Sequence, residues 1–398
     1  MPWQLVPDWN PDRCIVVFPE ECFSNGVRSM PEVVSQRFDA VVIGAGPAGT
    51  VAATVLARSG RRTLLAERST FPRTKVCGGC LAPAGIASLR DAGLGDALDS
   101  IDPLPLDALH LHARRATASY PIKQYLSIER GRMDQAFVEA ATDAGATFIS
   151  ECRARVGVDD SVSLEYAGRQ ECHRPDLVVV ADGLSGSSLA ERDDFGWDID
   201  QTSPMGLGAI LRDPPPGTTS DGITMRCGVE GYVGSSRLSD GRWVVAAALS
   251  PEAIRNHGVQ GAVHSVLRET GVDGKCAPST RWKAVGHLTR RRMRRAAGRV
   301  LLVGDAAGYV EPLTGEGMSW GICRAADVLP YAEAIGRGDD VSAQWSSAAE
   351  RMLRSRRVIC RTVCGMARRP RLLEFGLRLS SRLPFTGWAS QQLCWSHS

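Results

Sequence analysis

No charge of one sign dominates this 398-residue chain: 47 lysines and arginines stand against 44 aspartates and glutamates, a formal net charge of +3. So even a balance gives no reason to expect nucleic acid or a membrane surface as the principal partner. Apolar runs are short. None approaches the roughly 20 residues that a membrane-spanning helix requires, so the chain is expected not to cross a bilayer. Residues 1–37 carry Pro2, Pro7, Pro11, Pro19 and Pro31 and lack the apolar core of a signal peptide, which makes a cytoplasmic location the default. The 12 cysteines show no paired metal-ligand spacing, so reduced thiols and no metal site are expected. At 43% hydrophobic residues, the chain can bury a large core, divided between two intertwined domains.

Along the chain, residues 1–37 show neither helical nor strand periodicity and read as a poorly ordered extension. The run FDAVVIG from Phe38 has the form of a buried parallel strand; the alanine-rich segment after it reads as a helix ending at Gly60, and RRTLLAER as the next strand. LDALHLHA and ATASYPI suggest strands of a different sheet, RGRMDQAFVEAATDAGA a helix, and LVVVADG a return to the first sheet. From about Met205 to Trp282 the pattern is that of antiparallel sheet. RVLLVGDAAG is again a strand entering a glycine turn, followed by a helix near Gly317, and residues after Val341 read as helical and basic. The expected architecture is α/β. A nucleotide-binding domain is assembled from 38–100, 125–190 and 285–340, an antiparallel substrate domain comes from 101–124 and 191–284, and a helical region covers 341–398.

Gly44, Gly46 and Gly49 form Gly-x-Gly-x-x-Gly between strand and helix, with Pro47 and Ala48 inside the turn. Small residues there let the backbone approach a pyrophosphate at a helix N-terminus. Glu67 ends the following strand, with Arg68 beside it, at the distance expected of an acid that bonds ribose hydroxyls. This unit alone leaves NAD and FAD both open.

Three further segments bear on that choice. Asp182-Gly183 follows a buried strand, Gly304-Asp305 opens RVLLVGDAAGYVEPLTGEG, and Arg130 starts a helix four residues before Asp134. In this order, over about Phe38 to Leu329, the motifs resemble the flavoprotein superfamily of geranylgeranyl reductases and group A aromatic hydroxylases, the flavoprotein monooxygenases. The resemblance implies a discontinuous, Rossmann-like FAD domain of the GR2 type. It also implies Asp305 on a ribityl hydroxyl, Arg130 near the FAD phosphates or dimethylbenzene side, and Pro312, Gly315, Gly317 and Met318 shaping a turn whose amides face the flavin ring. For Asp182, a helix-capping role stands beside the cofactor role.

FPRTKVCGGCL, from Phe71 to Leu81, resembles the Cys-Gly-Gly loop of geranylgeranyl reductases, which lies against the flavin. On that resemblance Gly78 and Gly79 allow close backbone approach, while Lys75 and Cys77 are candidates for cofactor contact or catalysis. Cys77 and Cys80 have Cys-x-x-Cys spacing, but a redox pair belongs at a helix start in another fold and zinc needs a second pair, so neither is expected. Of the reductases' Tyr-x-Trp-x-Phe-Pro string only Tyr232 is present, and the Trp-x-Trp-x-Ile-Pro string of flavin-dependent halogenases is absent. Tyr232 is the third catalytic candidate.

A second Gly-x-Gly-x-x-Gly unit for a nicotinamide is also lacking, which resembles enzymes that admit NADPH or NADH only transiently as reductant. Chemistry in the superfamily is the flavin's own, hydride delivery from reduced N5 or oxygen capture at C4a. The leading expectation is a monooxygenase acting on an apolar small molecule through a flavin C4a-hydroperoxide. The alternative is an alkene reductase of the geranylgeranyl type, with a halogenase or a non-catalytic flavin protein behind it. Arg351, Arg354, Arg356, Arg357, Arg361, Arg368, Arg369, Arg371, Arg378 and Arg382, interleaved with apolar residues, suit either a solvated packing helix or peripheral contact with a membrane.

Overall fold

The computed structural model describes residues 37–274, 276–277, 279–311 and 316–380. The expectations for residues 1–36, for Pro312 and Gly315, and for 381–398 with Arg382, lie outside the described residues. Helices α1 (Pro47–Arg58), α2 (Pro83–Asp91), α3 (Gly95–Asp99), α4 (Arg130–Asp143), α5 (Pro251–Glu269), α6 (Gly317–Ala326), α7 (Val328–Gly336), α8 (Ser342–Ala367) and α9 (Pro370–Ser380) surround two main sheets.

The first sheet has the spatial order Ala296–Ala297, Val300–Leu302, Leu177–Val180, Ala40–Ile43, Thr63–Ala66, Thr147–Ile149. Every junction is parallel except the one made by Ala296–Ala297 at the edge. Its central strands, AVVI, TLLA and LVVV, are buried throughout, as runs of apolar residues covered on both faces must be. The sheet is therefore drawn from three distant stretches of chain, and their carboxyl ends come together where the glycine turns lie.

The second sheet has the order Lys283–His287, Met205–Leu211, Trp243–Leu249, Gly231–Arg237, Gly222–Gly228, Leu104–Ala113, Ala116–Ser127, Cys80–Leu81. Two features differ from the sequence expectation. The junction between Gly222–Gly228 and Leu104–Ala113 is parallel, so the sheet is mixed. Within 205–282, α5 interrupts the strands: Ser250 caps it by accepting a hydrogen bond from the Ala253 amide at 3.1 Å, and Pro251 occupies its first position. The sheet also takes Cys80–Leu81 and Lys283–His287 from stretches otherwise bound to the nucleotide-binding sheet, which couples the Cys-Gly-Gly loop directly to the substrate-side sheet.

The basic C-terminal stretch packs on both layers. In α8, Trp345 is fully buried, donates its indole N–H to the Leu302 carbonyl at 3.1 Å, and lies under the Arg324 guanidinium at 3.4 Å from the ring centroid. Cys364 and Ala367 of α8 and Leu373 and Leu377 of α9 join Leu106, Ile122, Tyr125, Tyr232 and Ala248 in one buried cluster on the second sheet. Among the described residues no helix is long and apolar enough to cross a membrane.

Candidate cofactor site

The turn after Ala40–Ile43 is built by exclusion of side chains. Gly44 has φ +102°, and a Cβ on it would meet the Ala181 carbonyl oxygen at 2.5 Å; a Cβ on Gly49 would meet the Gly44 carbonyl oxygen at 1.8 Å. Both glycines are needed for the turn itself. Gly46 differs, because its nearest neighbours are the guanidinium tips of Arg73 and Arg130, at 3.6 and 3.9 Å from the Cβ position. Gly46 caps α1 without any side-chain hydrogen bond, and Pro47 opens the helix, so the first-turn amides and two guanidinium groups face the same space. That is the chemistry of a pyrophosphate site. Ala48 is in tight contact with Gly304, whose Cβ would come within 3.1 Å of the Ala48 Cβ, and Gly44 abuts Ala181 and Asp182. The three glycine-bearing segments thus meet at one point.

Arg73 was not among the residues singled out from sequence, yet it organises this corner. It pairs with Glu67 at 2.5 Å and with Asp134 at 3.0 Å, and donates to the Ala45 carbonyl at 2.8 Å. Arg130, at the first turn of α4, pairs with the same Asp134 at 3.0 Å. Arg130 therefore lies beside Gly46, whereas Arg132 is half exposed and turned toward Glu129. Although burial disfavours its charge, Asp134 and Cys77 hold Arg130 firmly protonated.

Glu67 is already engaged inside the protein. One oxygen accepts from the Ala45 amide at 2.9 Å as well as pairing with Arg73, and the other accepts from the Ser69 amide at 3.0 Å. Burial opposes its ionisation, but Arg73, Lys75 and these amides outweigh it and keep its pKa below 4.5. In this arrangement Glu67 ties the glycine turn to the loop that carries Arg73, and exposed Arg68, which reaches Ser187 at 3.4 Å, is the freer polar side chain at the strand end.

Because Glu67 and Asp134 share Arg73, removing that cation leaves two buried carboxylates short of a partner. Arg73→Leu is expected to destabilise the fold by about 3–5 kcal/mol. With its pKa lowered on folding, Glu67 stabilises the native state above pH 4.5, and this contribution is lost as pH falls through the lower native value. Thermal melts across acid pH should show that loss in the wild type and a flatter profile in Arg73→Leu; equal profiles would refute the coupling.

The two aspartate turns differ in character. One oxygen of Asp182 accepts from the Ser188 amide at 2.9 Å, six residues on, whereas the 3-10 turn that Asp182 opens has no side-chain cap; its other oxygen is buried without a hydrogen-bond partner, and desolvation raises its pKa. Gly183 has φ +73° and open space at its Cβ position. Asp305 follows Gly304 (φ +58°) in a short 3-10 turn; its backbone carbonyl accepts from the Gly308 amide, but its carboxylate caps nothing and accepts no hydrogen bond among the described residues. Desolvation pushes Asp305 up to about 6, against the opposing pull of Arg130, Lys75 and Arg290. Two carboxylates with unused oxygens beside the glycine turn fit a ligand that brings hydroxyl groups.

On the other side lies the Cys-Gly-Gly loop. The Cys77 sulfur is 3.7 Å from the Met318 sulfur in α6, next to Gly317, and accepts from the Gly79 amide at 3.4 Å. Gly79 also has a packing role. Its φ is +67°, and a Cβ would meet the Ile128 carbonyl oxygen at 2.8 Å, so packing against the second sheet accounts for it. Gly78, exposed and with only Ala246 at 3.9 Å, is the position open to a ring. Cys77 and Cys80 are free thiols, and burial pushes the Cys80 thiol up to about 12. Lys75 is exposed yet crowded by protein; desolvation and Arg73 pull its pKa down, with Glu67 opposing.

Tyr232 lies in strand Gly231–Arg237 of the second sheet. It is buried beside Glu311, which pairs with Arg368 of α8, and burial raises the pKa of both Tyr232 and Glu311. Tyr309 stands near Asp305, Cys77 and Glu311, so it links the turn that bears Asp305 to Tyr232. Neither Tyr309 nor Glu311 was drawn from sequence, although both follow directly on Gly304-Asp305.

A parallel sheet with glycine turns converging at its carboxyl ends, two guanidinium groups beside Gly46 and two underused aspartates has the make-up of a dinucleotide-binding fold. The family described as FAD binding domain matches residues 37–358, and the chain belongs to it. It is an FAD-dependent oxidoreductase. The menaquinone reductase of Mycobacterium tuberculosis is 29% identical over 73% of this chain and 75% of its own length. Squalene monooxygenase of Rattus norvegicus is 28% identical over 37% of this chain and 28% of its own length. The solved flavin-dependent brominase Bmp2 superposes with a TM-score of 0.72 at 16% identity, covering 90% of this chain and 93% of its own, which is a likeness of fold.

Proposed function

We propose that this chain uses FAD to reduce an apolar, lipid-like alkene, with NADPH or NADH supplying electrons transiently. FAD would lie with its pyrophosphate at Gly46, Arg130 and Arg73, its ribityl chain at Asp305, and its ring edge at Gly78, Cys77 and the start of α6. When bound, it supplies two-electron hydride chemistry. The chain's own part is to orient the ring, exclude water through the apolar second sheet, and hold a proton donor near the reacting carbon. Tyr232 and Tyr309, kept neutral by burial, are suited to that last role, and Lys75 to countering negative charge on the reduced flavin.

The observation that carries the reductive reading is the Cys-Gly-Gly loop, fixed by Met318 on one side and by the second sheet on the other. Similarity to menaquinone reductase extends over most of both chains and supports the same direction. A monooxygenase is the second reading, favoured by the partial similarity to squalene monooxygenase. Product analysis with menaquinone and squalene as probes separates them. Reduction of an alkene predicts anaerobic turnover to a product heavier by two hydrogens that it keeps after reoxidation in air, which returns a mere quinol to the quinone. A product carrying an atom from labelled dioxygen, with no anaerobic turnover, would replace this reading with the second.

A further inference from the structure

Helix α9 has two apolar faces. Leu373 and Leu377 point inward and are buried on the strands Leu104–Ala113 and Ala116–Ser127, where Arg114 binds Glu374 at 2.8 Å. At ~100° per residue, Leu372, Phe375 and Leu379 lie on the opposite side. They are 52%, 68% and 50% exposed, and Met366, 38% exposed at the end of α8, stands close by, with its methyl 3.6 Å from the Cβ position of Gly376. A large apolar residue left in water at one position is ordinary; a contiguous stripe on one helix marks a contact surface.

The charge around the stripe is of one sign. Arg371 and Arg378 form a row along its edge, Arg369 lies at the helix start, and Arg115 is exposed at the tip of the hairpin that α9 covers. Arg115, Arg369 and Arg371 make no ion pair among the described residues. Glu374, the one acid between Arg351 and Arg382, is held by Arg114 and Arg378 and turned toward the sheet. An apolar stripe bordered by Arg369 and Arg371, with Arg115 nearby, is complementary to a negatively charged lipid surface. A second copy of this chain suits it poorly, because pairing two such stripes would bring their arginines together.

We infer that α9 is an interfacial helix that seats the protein on anionic membranes, with Leu372, Phe375 and Leu379 entering the headgroup boundary and Arg115, Arg369 and Arg371 meeting the lipid charges. This surface is separate from the cofactor site and does not rest on the reaction proposed above. Flotation of the full FAD-loaded chain with vesicles tests it. Binding is expected to vesicles of phosphatidylglycerol mixed with phosphatidylcholine, weakened by salt, and to be much lower on phosphatidylcholine alone.

Phe375→Glu combined with Leu379→Glu should reduce binding by about tenfold or more, as should Arg369→Glu with Arg371→Glu. Flavin content and melting temperature should stay unchanged, since these side chains project outward. Failure of the wild type to float, or flotation indifferent to both pairs of substitutions, would overturn the inference. So would a dimer in sedimentation that the Phe375→Glu, Leu379→Glu pair converts to monomer without any vesicle binding.

Discussion

Asp305→Ala is expected to yield a folded protein that binds FAD about 10- to 100-fold more weakly, the effect of deleting a charge-assisted hydrogen bond to the cofactor. The same substitution should make the protein without cofactor more stable, not less. The Asp305 carboxylate makes no hydrogen bond within the described chain, and its pKa rises from 3.8 to about 6 on folding. The folded state therefore holds a proton that the unfolded state has lost between these values, so stability due to this group falls as pH rises through that window. At pH 7 the penalty is roughly 2–3 kcal/mol. Alanine removes it. Melting the apoprotein at pH 4 and pH 7 checks the sign: the wild type should lose more stability over this interval than the variant. An aspartate that merely capped its turn would give the reverse, a destabilised variant with undiminished FAD.

The glycine turn gives the second large effect, through a contrast between neighbours. Gly49→Ala should fail to fold, because its Cβ would lie 1.8 Å from a backbone oxygen that belongs to the turn and cannot move without dismantling it. Gly44→Val should fail likewise, at 2.5 Å from the Ala181 carbonyl, and with a φ that β-branched residues do not adopt. Gly46→Val has neither obstacle. Its side chain would project toward Arg73 and Arg130, where the pyrophosphate is assigned, so the protein should fold and purify colourless. Circular dichroism and the flavin absorbance of the purified variants separate the two classes. A yellow Gly46→Val protein would place the phosphates elsewhere.

These glycines show how the sequence could and could not be read. The triplet spacing identified a nucleotide turn because strand, glycine and helix lie within a dozen residues, and local sterics dictate that pattern. It did not distinguish the two glycines that shape the turn from the one that leaves room for a ligand. That division depends on Ala181 and Arg73, which reach the turn from other parts of the chain. Asp305 was legible because the whole string RVLLVGDAAGYVEPLTGEG resembles the late segment of the flavoprotein superfamily.

Arg73 was passed over because an arginine in a loop usually has solvent as its partner; only the fold shows Glu67 and Asp134 converging on it. Glu67, read as a ribose ligand from its spacing, turned out to be held by Arg73 and two amides for the same reason. The missed helix α5 illustrates the limits of local pattern. Its Ser250-Pro251 start is a capping signal, but Gly258 at φ +66° interrupts the helical geometry and breaks the periodicity by which a helix is recognised. The parallel junction in the second sheet joins strands more than a hundred residues apart and has no signature in either strand alone.

The central claim is that one site, built from three distant segments, holds a whole dinucleotide and not merely a flavin ring. Titration of the apoprotein with FAD and, separately, with FMN tests it most directly, with flavin fluorescence as the readout. The account predicts one FAD per chain and FMN bound weaker by about 100-fold or more, since FMN lacks the second phosphate and the adenosine half that are assigned to Gly46, Arg130 and the end of strand Thr63–Ala66. Equal affinity for the two would contradict it, because the glycine turn and its guanidinium pair would then contribute nothing to holding the cofactor.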